Sequence, residues 1–264
     1  MNYRKGSDVN VSGKCRILAF ANQKGGVGKT TSAVNVAAGV GALGKKTLLC
    51  DFDPQGNASS GVGIEKNVEL SSYDALLGTN PYEIIKKTEF EGLDVMPASI
   101  DLAGAELEIA DEPHRESKLK SVLDTLRHDY DYIFIDCPPS LGLLTINALC
   151  AADGVIVPMQ CEYFALEGLS QLSQTVSIVK RKYNPALCLD GIIITMFDGR
   201  LNLSLQVLEE IKRYFPGKIF KTPVPRNVRL SEAPSYGMPV RYYDKHSKGA
   251  AAYGEIAAEL VNRG

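Results

Sequence analysis

One stretch, Gln23-Lys24-Gly25-Gly26-Val27-Gly28-Lys29-Thr30-Thr31, restricts this chain more than any other. It follows an apolar run, Ile17 to Ala21, that reads as a buried strand, and it leads into an alanine-rich segment, Ser32 to Leu43, with helical spacing. Strand, glycine loop and helix in that order are the setting in which backbone N–H groups turn inward around a polyphosphate. Glycines lack the Cβ that would obstruct the turn, and the positive end of the following helix adds to the attraction for an anion. Lys29 is then expected on the β and γ phosphates, the Thr30 hydroxyl on Mg²⁺, and Thr31 at the α phosphate. The common form of such a loop has glycine where this chain has Gln23. The match is therefore to the variant KGGxxK[ST], with a second lysine, Lys24, near its start.

The rest of the chain repeats strand then helix, which predicts an α/β fold with a mostly parallel sheet covered on both faces. Strands are expected over 15–21, 47–52, 93–97, 132–136, 154–158 and 189–195, with a short one over 218–221. Helices are expected over 30–43, 102–109, 116–126, 143–151, 166–182, 203–214 and 248–261. With 264 residues, 45% of them hydrophobic, a single domain over 14–264 is expected, preceded by a flexible polar tail over 1–13. No apolar run approaches a membrane span, and the first residues lack the apolar centre of a signal peptide. The six cysteines, at 15, 50, 137, 150, 161 and 188, form no CxxC pair and mostly sit in apolar stretches. They read as small core residues of a reduced cytoplasmic protein.

Ligands of such sheets bind outside the carboxyl ends of the strands. Two acidic motifs fall there, Asp51-Phe52-Asp53-Pro54-Gln55-Gly56-Asn57 and Asp136-Cys137-Pro138-Pro139-Ser140. Beside a phosphate loop, one such carboxylate can hold Mg²⁺ through water and another can position the water that attacks the γ phosphate.

KGGVGKTT, DFDPQGN, FIDCPPS, TMFDGR and PRNVRLSEAPSYG, in that order, resemble the ParA/Soj chromosome-partitioning ATPases of the deviant Walker A, MinD-like superfamily. The resemblance spans about residues 14–262. It implies that Lys24 reaches across an ATP-sandwich homodimer to phosphates bound by the other subunit, and that Gly25 lies where the subunits approach. Lys24, Gly25, Gly26, Val27, Gly28, Lys29, Thr30 and Thr31 would surround ATP, with Pro225 and Asn227 at the adenine. Asp53 would be needed for hydrolysis alongside Lys24 and Lys29, while Asp51 and Asp136 would support Mg²⁺ through water. The same resemblance implies slow hydrolysis stimulated by a ParB/Spo0J-type partner, and sequence-independent contact to double-stranded DNA through Arg200 and Arg229.

The net charge of −2 gives no support for DNA binding, but its distribution does. Residues 180–264 hold 14 Lys and Arg against 8 Asp and Glu, whereas residues 1–179 hold 15 against 23. A basic face on the C-terminal third is expected, and with it a nucleoid-associated location. With a tail of about fourteen residues before the first strand, the helix-turn-helix domain that larger plasmid partition relatives carry, and with it operator-specific repression, is not expected. The segment Glu255 to Arg263 is too acidic, and too poor in large apolar residues, for the basic membrane helix of a MinD-type regulator. Cys137 and Cys161 lack the glycine-flanked setting of a shared iron–sulfur cluster. Two alternatives stay open: a membrane-associated MinD-like spatial regulator, and an ATP-dependent ligase of the dethiobiotin-synthetase kind.

Overall fold

The computed structural model describes residues 15–163 and 165–263, and in it the apolar runs align as a seven-stranded sheet. The strands are β1 (Arg16–Phe20), β2 (Thr47–Asp51), β3 (Lys86–Lys87), β4 (Leu93–Met96), β5 (Tyr132–Asp136), β6 (Gly154–Gln160) and β7 (Cys188–Thr195). Their order across the sheet is β3-β4-β2-β5-β1-β6-β7, parallel throughout except for β3, which runs against β4. The expected flexible tail over residues 1–13 lies outside the described residues.

Alternation along each strand sends side chains to two apolar layers. Ile17 and Ala19 of β1 join Leu48, Ile133, Ile135 and Val155 on one face, and Leu18 and Phe20 join Leu49, Phe134 and Ile156 on the other. Each face is then covered by helices. In chain order these are α1 (Lys29–Gly41), α2 (Asn57–Ser60), α3 (Ser72–Leu76), α4 (Pro81–Ile84), α5 (Leu102–Glu108) and α6 (Lys118–Leu126). They continue as α7 (Leu143–Ala151), α8 (Ala165–Lys182), α9 (Asn202–Tyr214), α10 (Val228–Glu232), α11 (Val240–Tyr243) and α12 (Lys248–Arg263). The first face takes α6 to α9, and the second takes α1 and α12. α1 and α12 meet so closely that a Cβ on Gly39 would stand 2.7 Å from that of Ala257. Phe134 is fully buried beneath this layer, and its truncation to alanine is expected to cost about 3–5 kcal/mol.

Two expectations need correction. Residues 218–221 form no strand; Ile219 makes a single parallel bridge to Ile192, with glycine at 217 and proline at 223 on either side. Cys188 is exposed, whereas the other five cysteines are buried as expected. Five short helices, α2, α3, α4, α10 and α11, were not anticipated, because four or five residues are too few to show a period. Their caps are local: Ser71 and Asp74 close a capping box on α3, and Asn80 caps α4 with Pro81 at its first turn.

Candidate active site at the carboxyl edge of the sheet

β1 sits inside the sheet, and the chain leaving it at Phe20 passes through the glycine loop into α1. Gly26 and Gly28 have φ of 72° and 83°, the left-handed region that a side chain resists. Gly28 is the residue before α1, and the first turn carries neither a side-chain cap nor an acidic residue. Its N–H groups and the positive helix end thus face whatever enters the loop. Asn22 fixes the loop's start, donating from Nδ2 to the Pro158 carbonyl at 2.9 Å and accepting from the Lys24 N–H at 3.0 Å.

The two loop lysines behave differently. Lys29 is buried and curls back so that Nζ donates to the Lys24 carbonyl at 3.2 Å. Burial pushes its pKa down, and the facing carboxylate of Asp136 opposes that shift. Lys24 turns away from the cradle, half-exposed, into an ion pair with Glu162. A Cβ built on Gly25 meets open space.

Asp51 and Asp136 end β2 and β5 at paired register positions, so two buried carboxylates share one edge. Asp51 is only partly available: its Oδ2 accepts from the Ser59 N–H and hydroxyl, both at 2.7 Å, and Oδ1 accepts from the Asp53 N–H at 3.3 Å. Burial nevertheless pushes its pKa up to about 6. Asp136 is raised well above the usual carboxylate range, first by burial and then by the charge of Asp51. The neighbouring Thr30 hydroxyl softens this shift, yet neither Asp136 oxygen meets hydrogen-bond geometry with any described residue. A buried carboxylate without donors is costly and calls for a cation. That orphaned group beside Thr30 and Lys29 fits Mg²⁺, an ion that keeps several waters and leans on phosphate oxygens. Among the described residues no cluster of three His, Cys, Asp or Glu could hold a metal unaided. Thr30 would hold the ion directly and Asp51 and Asp136 through water, and the ion would offset phosphate charge.

Asp53 follows in a fixed turn, nearly buried, its Oδ1 accepting from the Gln55 N–H at 3.0 Å. On the other side of the loop, a cavity of about 320 Å³ is lined by Gly28, Thr31, Met196, Pro225, Asn227 and Tyr253 among others. It brings Pro225 and Asn227 beside the cradle. The Asn227 oxygen caps α10 by accepting from the Arg229 N–H at 2.9 Å, which leaves its amide nitrogen available as a donor.

The arginines expected at DNA lie apart from this site in chemistry. Arg200 is exposed and grips Asp198 through two nitrogens at 2.9 and 2.8 Å, which holds that carboxyl down at about 2. Arg229 pairs with Glu232 at 2.8 Å and Asp244 at 3.2 Å. The residues not anticipated are Ser59, Glu162, Gln160 and Thr195. Gln160 and Thr195 reach the loop from β6 and β7.

Residues 15–189 match the family described as an AAA domain. Over 251 residues the chain is 55% identical to the sporulation initiation inhibitor protein Soj of Bacillus subtilis, covering 94% of this chain and 99% of that protein. It is 53% identical over 250 residues to the chromosome partitioning protein ParA of Myxococcus xanthus, covering 94% of this chain and 88% of that one. The chain belongs to the ParA/Soj family of chromosome-partitioning ATPases. Solved structures place this ParA/Soj chain in the same fold. One is cobyrinic acid a,c-diamide synthase from Mycobacterium smegmatis with bound ADP and magnesium, 39% identical, TM-score 0.82, covering 94% of this chain and 95% of that one. Another is the septum site-determining protein MinD from Pyrococcus horikoshii complexed with Mg-ADP, 26% identical, TM-score 0.76, covering 93% and 96%. Proteins named for a synthase, a septum regulator and partition thus share one architecture. The ParA/Soj assignment rests on the more similar relatives.

Proposed function

We propose that this ParA/Soj chain binds Mg·ATP in its glycine loop, pairs with a second copy across the nucleotides, and coats duplex DNA without regard to sequence. Hydrolysis, slow alone and stimulated by a ParB/Spo0J-type partner, then releases it. The observation that supports this most is the contrast between the lysines. Lys29 fills its own cradle, while Lys24, from the same loop, points out of it beside a glycine whose Cβ position is open. A second subunit's phosphates would offer Lys24 more negative charge than the exposed Glu162 carboxylate it pairs with in its own chain. ATP would then act as a dimerisation switch, and doubling the basic surface would link nucleotide to DNA affinity.

ATP and Mg²⁺ are the cofactors on this reading, through Lys24 to Thr31, Asp51 and Asp136, with Asp53 at the attacking water and Pro225 and Asn227 at adenine. Arg200 and Arg229 contact the DNA backbone, placing the dimer on the nucleoid. No described helix is long and apolar enough to cross a membrane, and α12 is packed against α1. The deciding measurement is retention on duplex DNA with ATP, ADP or no nucleotide, repeated with anionic vesicles in place of DNA. Retention on DNA in ATP alone supports the proposal. ATP-dependent capture by vesicles would favour the MinD-like reading, and turnover that requires a small carboxylate substrate would favour the ligase.

A further inference from the structure

A cradle that turns its N–H groups inward must turn its carbonyls outward, and buried carbonyls need donors. In this loop two successive carbonyls, an exposed one at Gly26 and a buried one at Val27, find donors on the sheet. Gln160, the last residue of β6, donates from Nε2 to the Gly26 carbonyl at 2.9 Å. Thr195, the last residue of β7, donates its hydroxyl to the Val27 carbonyl at 2.7 Å in a buried bond. The two donors are partners in the register of β6 and β7, so a single rung of the sheet grips the loop from behind. The grip is shaped as well as bonded: the Thr195 methyl would lie 3.6 Å from a Cβ at Gly28. It is also anchored beyond the rung. The Gln160 amide nitrogen lies 3.1 Å from the Met196 sulfur, Met196 has a φ of 50°, and the Phe197 N–H donates to the Val224 carbonyl at 2.9 Å.

We propose that Gln160 and Thr195 are positioning residues for the nucleotide, holding Gly26 and Val27 so that the loop's N–H groups face the phosphates before ATP arrives. On this proposal each acts through the carbonyl it fixes, and Thr195, which also lines the cavity beside Pro225 and Asn227, is tested with a ligand that has no base to place there. Binding a highly charged anion to an already ordered cradle avoids the ordering cost that a slack loop would impose. The effect belongs to the phosphates, and it is therefore present for a triphosphate that carries no base.

The test uses Thr195→Val, which keeps the shape and removes the donor, Thr195→Ser, which keeps the donor and removes the methyl, and Gln160→Leu. Affinities are measured for Mg·ATP and for Mg·tripolyphosphate, by competition against a fluorescent ATP analogue, alongside thermal unfolding of the nucleotide-free chain. Thr195→Val is expected to weaken both ligands by about tenfold, the loss expected for one buried hydrogen bond. Gln160→Leu should weaken them by about threefold, at a more exposed bond, and Thr195→Ser should restore most of the lost affinity. A Thr195→Val chain that unfolds earlier yet binds tripolyphosphate as the wild type does would reduce the residue to a structural role. A serine variant as weak as the valine one would overturn the hydroxyl's part. If the valine variant does not fold, Gln160→Leu, at a partly exposed position, decides by the same readout. The inference rests on the loop being the nucleotide site. A wild-type chain that retains neither ligand would remove that reading, whereas a wild type and variants that all bind equally would remove this inference alone.

Discussion

The phosphate edge and the arginine surface are both charged, and they are built on opposite terms. Lys29 at the start of α1, and Asp51 and Asp136 at the ends of β2 and β5, are buried, and burial itself moves their protonation. Arg200 and Arg229 stand at the surface and already share their charge with Asp198, Glu232 and Asp244. Electrostatics of the first kind is fixed by the fold and little screened; that of the second is weak per pair and yields to salt. A nucleotide switch needs the first, and reversible attachment to any duplex suits the second.

The sharpest division should appear at Asp53. Asp53→Ala is expected to lower hydrolysis by about 10²–10⁴-fold, the range for a lost acid–base or water-positioning group, while ATP-dependent retention on DNA persists. Phosphate release and filter retention measure the two halves; a variant that hydrolyses normally would take Asp53 out of the reaction. Gly25→Val comes next. A Cβ there meets open space within one chain, so nucleotide affinity should hold while the ATP dimer weakens by about a hundredfold, from two overpacked contacts of roughly 1–3 kcal/mol each. Sedimentation in ATP reads this, and a normal dimer would move the interface away from the loop.

Protonation tests whether the buried edge holds Mg²⁺. A raised carboxyl pKa means that the folded chain keeps protons that an unfolded one releases above about pH 4. Stability of the nucleotide-free chain should therefore fall as pH rises from about 4 through the folded pKa of Asp51, about 6, and beyond it for Asp136. Mg²⁺ must displace such a proton, so Mg-dependent nucleotide affinity should drop by up to about tenfold per pH unit below that range. Calorimetry at pH 5.5 and 7.5 checks it, and equal affinities would place the ion away from both carboxylates. At the other region, replacing Arg200 and Arg229 together by alanine should lower the slope of log affinity against log salt by about 1.8, near 0.9 for each lost phosphate contact. The loss should be equal across unrelated duplexes. The smallest effect is expected at Glu162→Gln. An exposed ion pair is worth about 0–1 kcal/mol, and a symmetric dimer would open two, so the ATP dimer should tighten by about two- to tenfold. A weaker dimer would instead give Glu162 a contact across the interface.

How much of this was legible in the sequence follows the same division. Buried parallel strands are continuous apolar runs, which is why β5 was bounded correctly at Tyr132 and Asp136. The glycine loop was legible because its chemistry is local. The run 218–221 looked similar but holds one bridge, because Gly217 and Pro223 leave no length for a ladder. Gln160 and Thr195 carried no signal, since a polar residue at a strand end gains meaning only once the β6–β7 register is known. The pairing of Arg229 with Glu232 at i+3 was readable in principle; its second partner, Asp244, required the packing of α10 and α11.

α12 covers the outer side of α1, with the Tyr253 hydroxyl 2.9 Å from that of Ser32, the residue next to Thr31. A chain emerging from the ribosome completes its glycine loop early and waits for its last described helix to brace it. Until residues 248–263 have folded back, α1 lacks the helix that packs on its outer side, including the Ser32–Tyr253 hydroxyl contact. If ATP joins two copies as proposed, nucleotide would also act as a certificate of completion: copies cut short before α12 should bind ATP poorly and stay out of the dimers.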